Sequence, residues 1–97
     1  MGADYKLLIP DGVAGLIRGM HPELKKKIKA SLKTIFGNPY CGKALKNELA
    51  GLRSFKASRF RIIYRVAEGN IIEAVAIGPR KYIYEETFRL LNRKGAP

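Results

Sequence analysis

The chain predicts an α+β domain: an N-terminal strand and a two-helix hairpin packed on a twisted, mainly antiparallel four-stranded sheet, with a C-terminal helix. Three features lead there. Apolar residues recur at helical spacing between Val13 and Ile35, three runs of strand composition follow between Leu52 and Ile77, and a second helical repeat comes last. Helices grouped ahead of the strands, not alternating with them, favour an antiparallel sheet with the helical hairpin on one face. The 97 residues are read as one domain, 1–97, large enough for one modest core.

The elements follow in order. Tyr5 to Ile9 is a short apolar run ended by Pro10-Asp11-Gly12, which reads as a first strand. Asp11 is placed to cap a helix in which Val13, Leu16, Ile17 and Met20 share one side. His21-Pro22 interrupts it, with Pro22 suited to the first position of a second helix. There Leu24, Ile28, Leu32 and Ile35 form the apolar stripe, and Lys25, Lys26, Lys27, Lys29 and Lys33 take most of the remaining surface. Gly37-Asn38-Pro39 ends that helix. Tyr40 to Gly51 is a connection with a helical turn around Lys46 to Leu49. Strand-like runs cover Leu52 to Lys56, Arg59 to Val66 and Ile71 to Ile77, with turns at Ala57-Ser58 and Glu68-Gly69-Asn70. From Ile83 to Leu91, Tyr84, Phe88 and Leu91 fall at helical spacing.

Composition narrows the chemistry. Nineteen Lys and Arg against eight Asp and Glu give a net charge of +11, which attracts polyanions and releases counterions on binding phosphates. Nucleic acid is the first partner this implies and an acidic protein the second. Cys41 is the only cysteine, so no intrachain disulfide forms and a reducing cytoplasm is expected. With one histidine, His21, far from that cysteine in sequence, no structural metal is expected. No stretch approaches membrane-spanning length, and the N-terminus lacks a signal-peptide pattern.

The run RFRIIYRV carries the charge in a pattern. Alternation puts Phe60, Ile62, Tyr64 and Val66 on one face and Arg59, Arg61, Ile63 and Arg65 on the other. Taken alone, a basic strand face is more often simply solvated than a site. Its neighbours add to it: a tight hairpin sets Lys56 beside Arg59 or Arg61, and the Gly78-Pro79 turn aims Arg80 at the same surface. Tyr84 follows on the next helical turn.

These residues resemble the RelE/ParE superfamily of bacterial toxin–antitoxin toxins, and the RelE-type branch more than the ParE-type. The likeness lies in the leucine-rich approach Leu45 to Leu52, the hairpin strand Ser54 to Lys56, Phe60-Arg61-Ile62-Ile63-Tyr64, and Gly78-Pro79-Arg80 with Tyr84 four residues on. It implies a ribosome-dependent mRNA endonuclease that enters the ribosomal A site and cuts by attack of a ribose 2′-OH on the adjacent phosphate, without a cofactor. By motif match, Arg61 stabilises the phosphate and Arg80 does the same or assists the leaving oxygen. Tyr84 stacks on a base or takes part in proton transfer, and Lys56 fills a basic position on the hairpin. Arg53, Arg59, Arg65, Lys46 and Lys81 are the further candidates for RNA contact. The sequence departs from the family at Ser54, where a basic residue is common.

The resemblance also implies a cognate antitoxin, acidic enough to suit a surface of this charge. Two other functions stay open: a ParE-like toxin that binds and poisons DNA gyrase without nuclease chemistry, and a plain RNA- or ribosome-binding domain whose arginines only grip phosphate.

Overall fold

In the computed structural model, which describes residues 4–95, the first apolar run forms strand β1 (Lys6–Leu8) and the chain then enters helix α1 (Asp11–Arg18). The expected cap is corrected. Pro10 occupies the N-cap position, Asp11 is the first helical residue, and no side chain bonds the free N–H groups. In that first turn, the Asp11 carboxylate complements the helix dipole instead. Helix α2 (Pro22–Gly37) starts at Pro22 as expected. His21 caps it, its Nδ1 accepting from the Glu23 backbone N–H at 3.2 Å, a structural role for the sole histidine.

One mixed sheet follows, ordered β1-β5-β4-β3-β2, with five strands where the sequence suggested four. The added strand is β2 (Lys43–Ala44), which pairs antiparallel with Ser54 and Arg53 of β3 (Arg53–Ala57). Lys and Ala are poor strand formers, and a two-residue ladder leaves no compositional trace. β4 (Phe60–Ala67) and β5 (Ile71–Pro79) complete the antiparallel part, while β1 runs parallel to β5.

The β3–β4 hairpin turns through Ser58 and Arg59, because Ala57 pairs with Phe60. Ser58 has φ 61°, the left-handed conformation that a two-residue hairpin needs at its first position. Arg59 therefore lies in the turn and not on the strand face, a correction to the row of three arginines. The β4–β5 loop is Glu68-Gly69-Asn70 as expected, with Gly69 and Asn70 at φ 80° and 59°.

Between Ile63–Ala76 and Tyr64–Ala74 the ladder skips Val75, a β-bulge on β5. The bulge explains why the buried residues facing α1 and α2 on β5 are Ile72, Ala74 and Ile77, which are not in strict alternation. These pack with Val13, Ile17, Ile28, Leu32, Ile35, Ile62 and Tyr64 as the main core. Leu16, expected on the buried stripe of α1, stays 51% exposed.

Helix α3 (Arg80–Gly95) covers part of the opposite sheet face, where Leu52, Ile63, Ala76 and Ile83 form a second cluster. It begins three residues before the expected Ile83, directly after Pro79. Its buried side is also displaced: Ile83 and Thr87 are buried, Tyr84 is half-buried, and Phe88 is 37% exposed. Thr87 tolerates a core position because its hydroxyl donates to the Ile83 carbonyl at 2.7 Å.

Candidate functional site

The basic surface lies on the α3 side of the sheet, at the end where β3 turns into β4. Register fixes its geometry. Lys56 pairs with Arg61, and Arg61 pairs on its other side with Gly78, so one row crosses three strands. Paired residues stand about 5 Å apart, Cα to Cα. Lys56 is exposed and Arg61 half-buried. The side-chain ion pairs among the described residues are Arg65–Glu73 and Arg89–Glu85, so neither Lys56 nor Arg61 has a carboxylate partner there. Two adjacent cations without an acid repel each other, and an anionic ligand removes that repulsion.

Gly78 lets α3 come close to this row. A Cβ there would stand 3.0 Å from the Cδ1 of Ile83, which is 1% exposed. Arg80, exposed, is the first residue of α3 and follows Pro79, the partner of Phe60. The first turn of α3 holds no acidic residue, so the positive end of its dipole adds to the charge of Arg80 and Lys81.

The next row back is Ser54–Ile63–Ala76. Ser54 alternates with Lys56 on the same face and is 2% exposed. Its Oγ lies 3.1 Å from the hydroxyl oxygen of Tyr84, and either oxygen can donate. Tyr84 packs against the cluster of Leu52, Ile63, Ala76 and Ile83. The structure thus brings Lys56, Arg61 and Gly78 into one row, with Arg80 two residues beyond Gly78. Tyr84 is anchored on the row behind.

The remaining candidates are spread out. Arg65 shares the face, but its Nε donates to Glu73 at 2.6 Å, an acid on β5 that the sequence reading did not pair with it. Arg59 sits in the turn. Lys46, exposed, precedes a 3-10 turn (Asn47–Leu49), between Leu45 and Leu49, which pack on the α3 cluster. Lys81 is exposed, its Nζ 5.6 Å from the Tyr82 ring centroid. Arg53 does not join them. Its guanidinium donates to the carbonyls of Tyr40 at 3.1 Å and Gly42 at 2.7 Å and lies 4.9 Å from the Tyr40 ring centroid, holding the loop before β2.

Sequence reasoning passed over Ser54 as a missing base. The available signal was its spacing, two residues before Lys56 on the same strand face. Away from the basic row, a groove of about 580 Å³ runs between α1 and α3, with Leu16, Val75, Ala76, Leu90 and Leu91 in its lining. Among the described residues no group of three or more His, Cys, Asp or Glu could hold a metal ion, and no helix is long and apolar enough to cross a membrane.

Comparisons with known proteins bear on the family and the fold. Residues 20–84 match the family model described as the ParE toxin of the type II toxin–antitoxin system parDE. No curated protein matches in sequence. Among solved structures, the chain is similar to a mutant Escherichia coli RelE toxin in the free state at TM-score 0.74 and 14% identity, over 95% of this chain and 98% of that one. It is similar to the RelBE2 toxin–antitoxin complex of Mycobacterium tuberculosis at TM-score 0.69 and 18% identity, over 80% of this chain and 100% of that one. The archaeal RelE–RelB complex of Pyrococcus horikoshii gives TM-score 0.65 and 18% identity, over 80% and 97%. At such identities the structural likeness is one of fold, while the family match spans about two-thirds of the sequence. The chain belongs to the ParE toxin family within the RelE/ParE superfamily, and is a toxin of a toxin–antitoxin system.

Proposed function

We propose that this toxin is a ribosome-dependent mRNA endonuclease. The observation that carries the reading is the Lys56–Arg61–Gly78 row: two cations without a carboxylate partner, with Arg80 close by and a tyrosine hydroxyl on the row behind. In the proposed reaction the 2′-oxygen of a nucleotide bonds to the adjacent phosphorus and the P–O5′ bond breaks. This leaves a 2′,3′-cyclic phosphate and a 5′-hydroxyl. Arg61 and Lys56 hold the phosphoryl oxygens as negative charge builds on them. Arg80 assists the departing O5′. The 2′-OH proton leaves to solvent water, while Tyr84 meets the nucleotide with its ring and its hydroxyl supplies the proton that the departing O5′ takes up. The surface is open and grips phosphate without reading bases, so the ribosome supplies the alignment of the message.

The natural inhibitor in this reading is an acidic antitoxin. Structural neighbours of this fold are toxin–antitoxin complexes, and a +11 surface draws an acidic segment as strongly as it draws RNA. The groove between α1 and α3 offers that segment apolar surface. A second reading, gyrase poisoning, is favoured by the family model's own description as a ParE toxin and by a neutral residue at Ser54. Purified protein added to cell-free translation, and separately to a gyrase supercoiling reaction, tests the two. Endonuclease action shortens the translated message and leaves supercoiling unchanged; inhibited supercoiling with intact message supports the gyrase reading.

A further inference from the structure

Among the described residues Ser54 is the buried hydroxyl on the strand face that carries the basic row, and its side chain bonds to the Tyr84 hydroxyl. The buried Thr87 hydroxyl donates its proton within its own helix. A serine 2% exposed must be hydrogen-bonded or suffer an unmet polar group, so burial of Ser54 favours the contact with Tyr84 at 3.1 Å. It is also long-range, tying the start of β3 to the second turn of α3, thirty residues apart in sequence. Without it the Tyr84 hydroxyl is free to turn to solvent, since its ring is only half-buried.

We infer that Ser54 is a positioning residue for Tyr84, holding the phenol oxygen at a fixed place behind Lys56 and Arg61. This rests on the cleavage reading above. The chemistry suits a serine. Its hydroxyl rotates, so it accepts from Tyr84 at rest, and it donates to the Tyr84 oxygen once the phenol O–H has turned to the RNA and passed its proton to the departing O5′. A lysine in its place would donate only. The neutral residue that looked like a missing base is then the second half of a two-hydroxyl pair.

Two measurements on the full chain test it. The first is the rate of message cleavage in cell-free translation. Ser54→Ala is expected to lower kcat roughly 10- to 100-fold with KM little changed, because no cation is removed. Ser54→Thr, which keeps the hydroxyl, is expected to recover most of the rate. Ser54→Ala combined with Tyr84→Phe should be no slower than Tyr84→Phe alone, since both remove one interaction. The second is the ring-carbon NMR signal of Tyr84 in the uninhibited protein, expected to shift in Ser54→Ala and return in Ser54→Thr. Should Ser54→Ala fail to fold, the Thr variant and the NMR comparison with a Ser54→Gly protein take its place. An active wild type with an equally active Ser54→Ala, or an additive double mutant, overturns this inference alone. A wild type that never cuts message overturns the cleavage reading and the positioning role with it. An unmoved Tyr84 signal in the serine variants overturns the hydrogen bond on which the inference stands.

Discussion

Tyr64 shows how a single side chain holds the scaffold under the site. It is fully buried, yet its hydroxyl donates to the Pro39 carbonyl at 2.8 Å and accepts from the Gly42 N–H at 2.9 Å. Burial pushes its phenol above the ordinary value, with the Gly42 hydrogen bond pulling the other way. A raised folded pKa means the unfolded chain ionises first. The stability Tyr64 contributes is therefore complete below about pH 10 and is lost as pH rises through the folded value. Tyr64→Phe is expected to cost about 1–3 kcal/mol in urea denaturation at pH 7, since two backbone groups lose their partner. The same variant should lose less stability than wild type on going from pH 9 to pH 11. The sequence assigned Tyr64 to the core face by alternation alone. Its hydroxyl bonds were not readable there, because they depend on where the Pro39–Gly42 loop folds back. The contact of Ser54 with Tyr84 was unreadable for a similar reason: it joins side chains on two different elements.

At the scale of elements, what local pattern could decide was readable. The helical hairpin, the Pro22 start of α2 and the Glu68-Gly69-Asn70 loop follow from periodicity and turn chemistry. The β3–β4 hairpin was placed one residue early, and that shift moved Arg59 off the strand face. The Lys56–Arg61 pairing survived because it needs only the hairpin and not its precise turn. Neither β2 nor the Val75 bulge has a sequence signature of its own. β2 depends on Gly42, where a Cβ would stand 2.6 Å from the Tyr64 hydroxyl oxygen and 3.1 Å from the Ser54 carbonyl oxygen. Both neighbours are buried and cannot move aside without loss. Gly42→Ala is expected to destabilise the protein by about 1–3 kcal/mol, seen as a lower Tm, whereas Gly37→Ala, with open space around it, should change little.

For the molecule as a whole, the two sheet faces divide the work. One is sealed by α1 and α2 over the main core; the other is covered by α3 only in part, leaving the basic row open beside the helix's amino end. The charge of +11 makes binding to a polyanion such as RNA salt-dependent, and removing one cation that contacts phosphate should flatten that dependence. Arg61→Ala is expected to reduce the slope of log K against log salt by about 1, while Arg53→Gln, on β3 with its guanidinium held by the loop before β2, should leave the slope unchanged. The most direct test of cleavage at this face is primer extension on a message undergoing translation, with chemical identification of the new ends. Cleavage by Arg61, Arg80 and Tyr84 predicts stops at codon-spaced positions, a 2′,3′-cyclic phosphate upstream and a 5′-hydroxyl downstream, all lost in Arg61→Ala. An intact message, or cuts that persist at full rate in that variant, would contradict it.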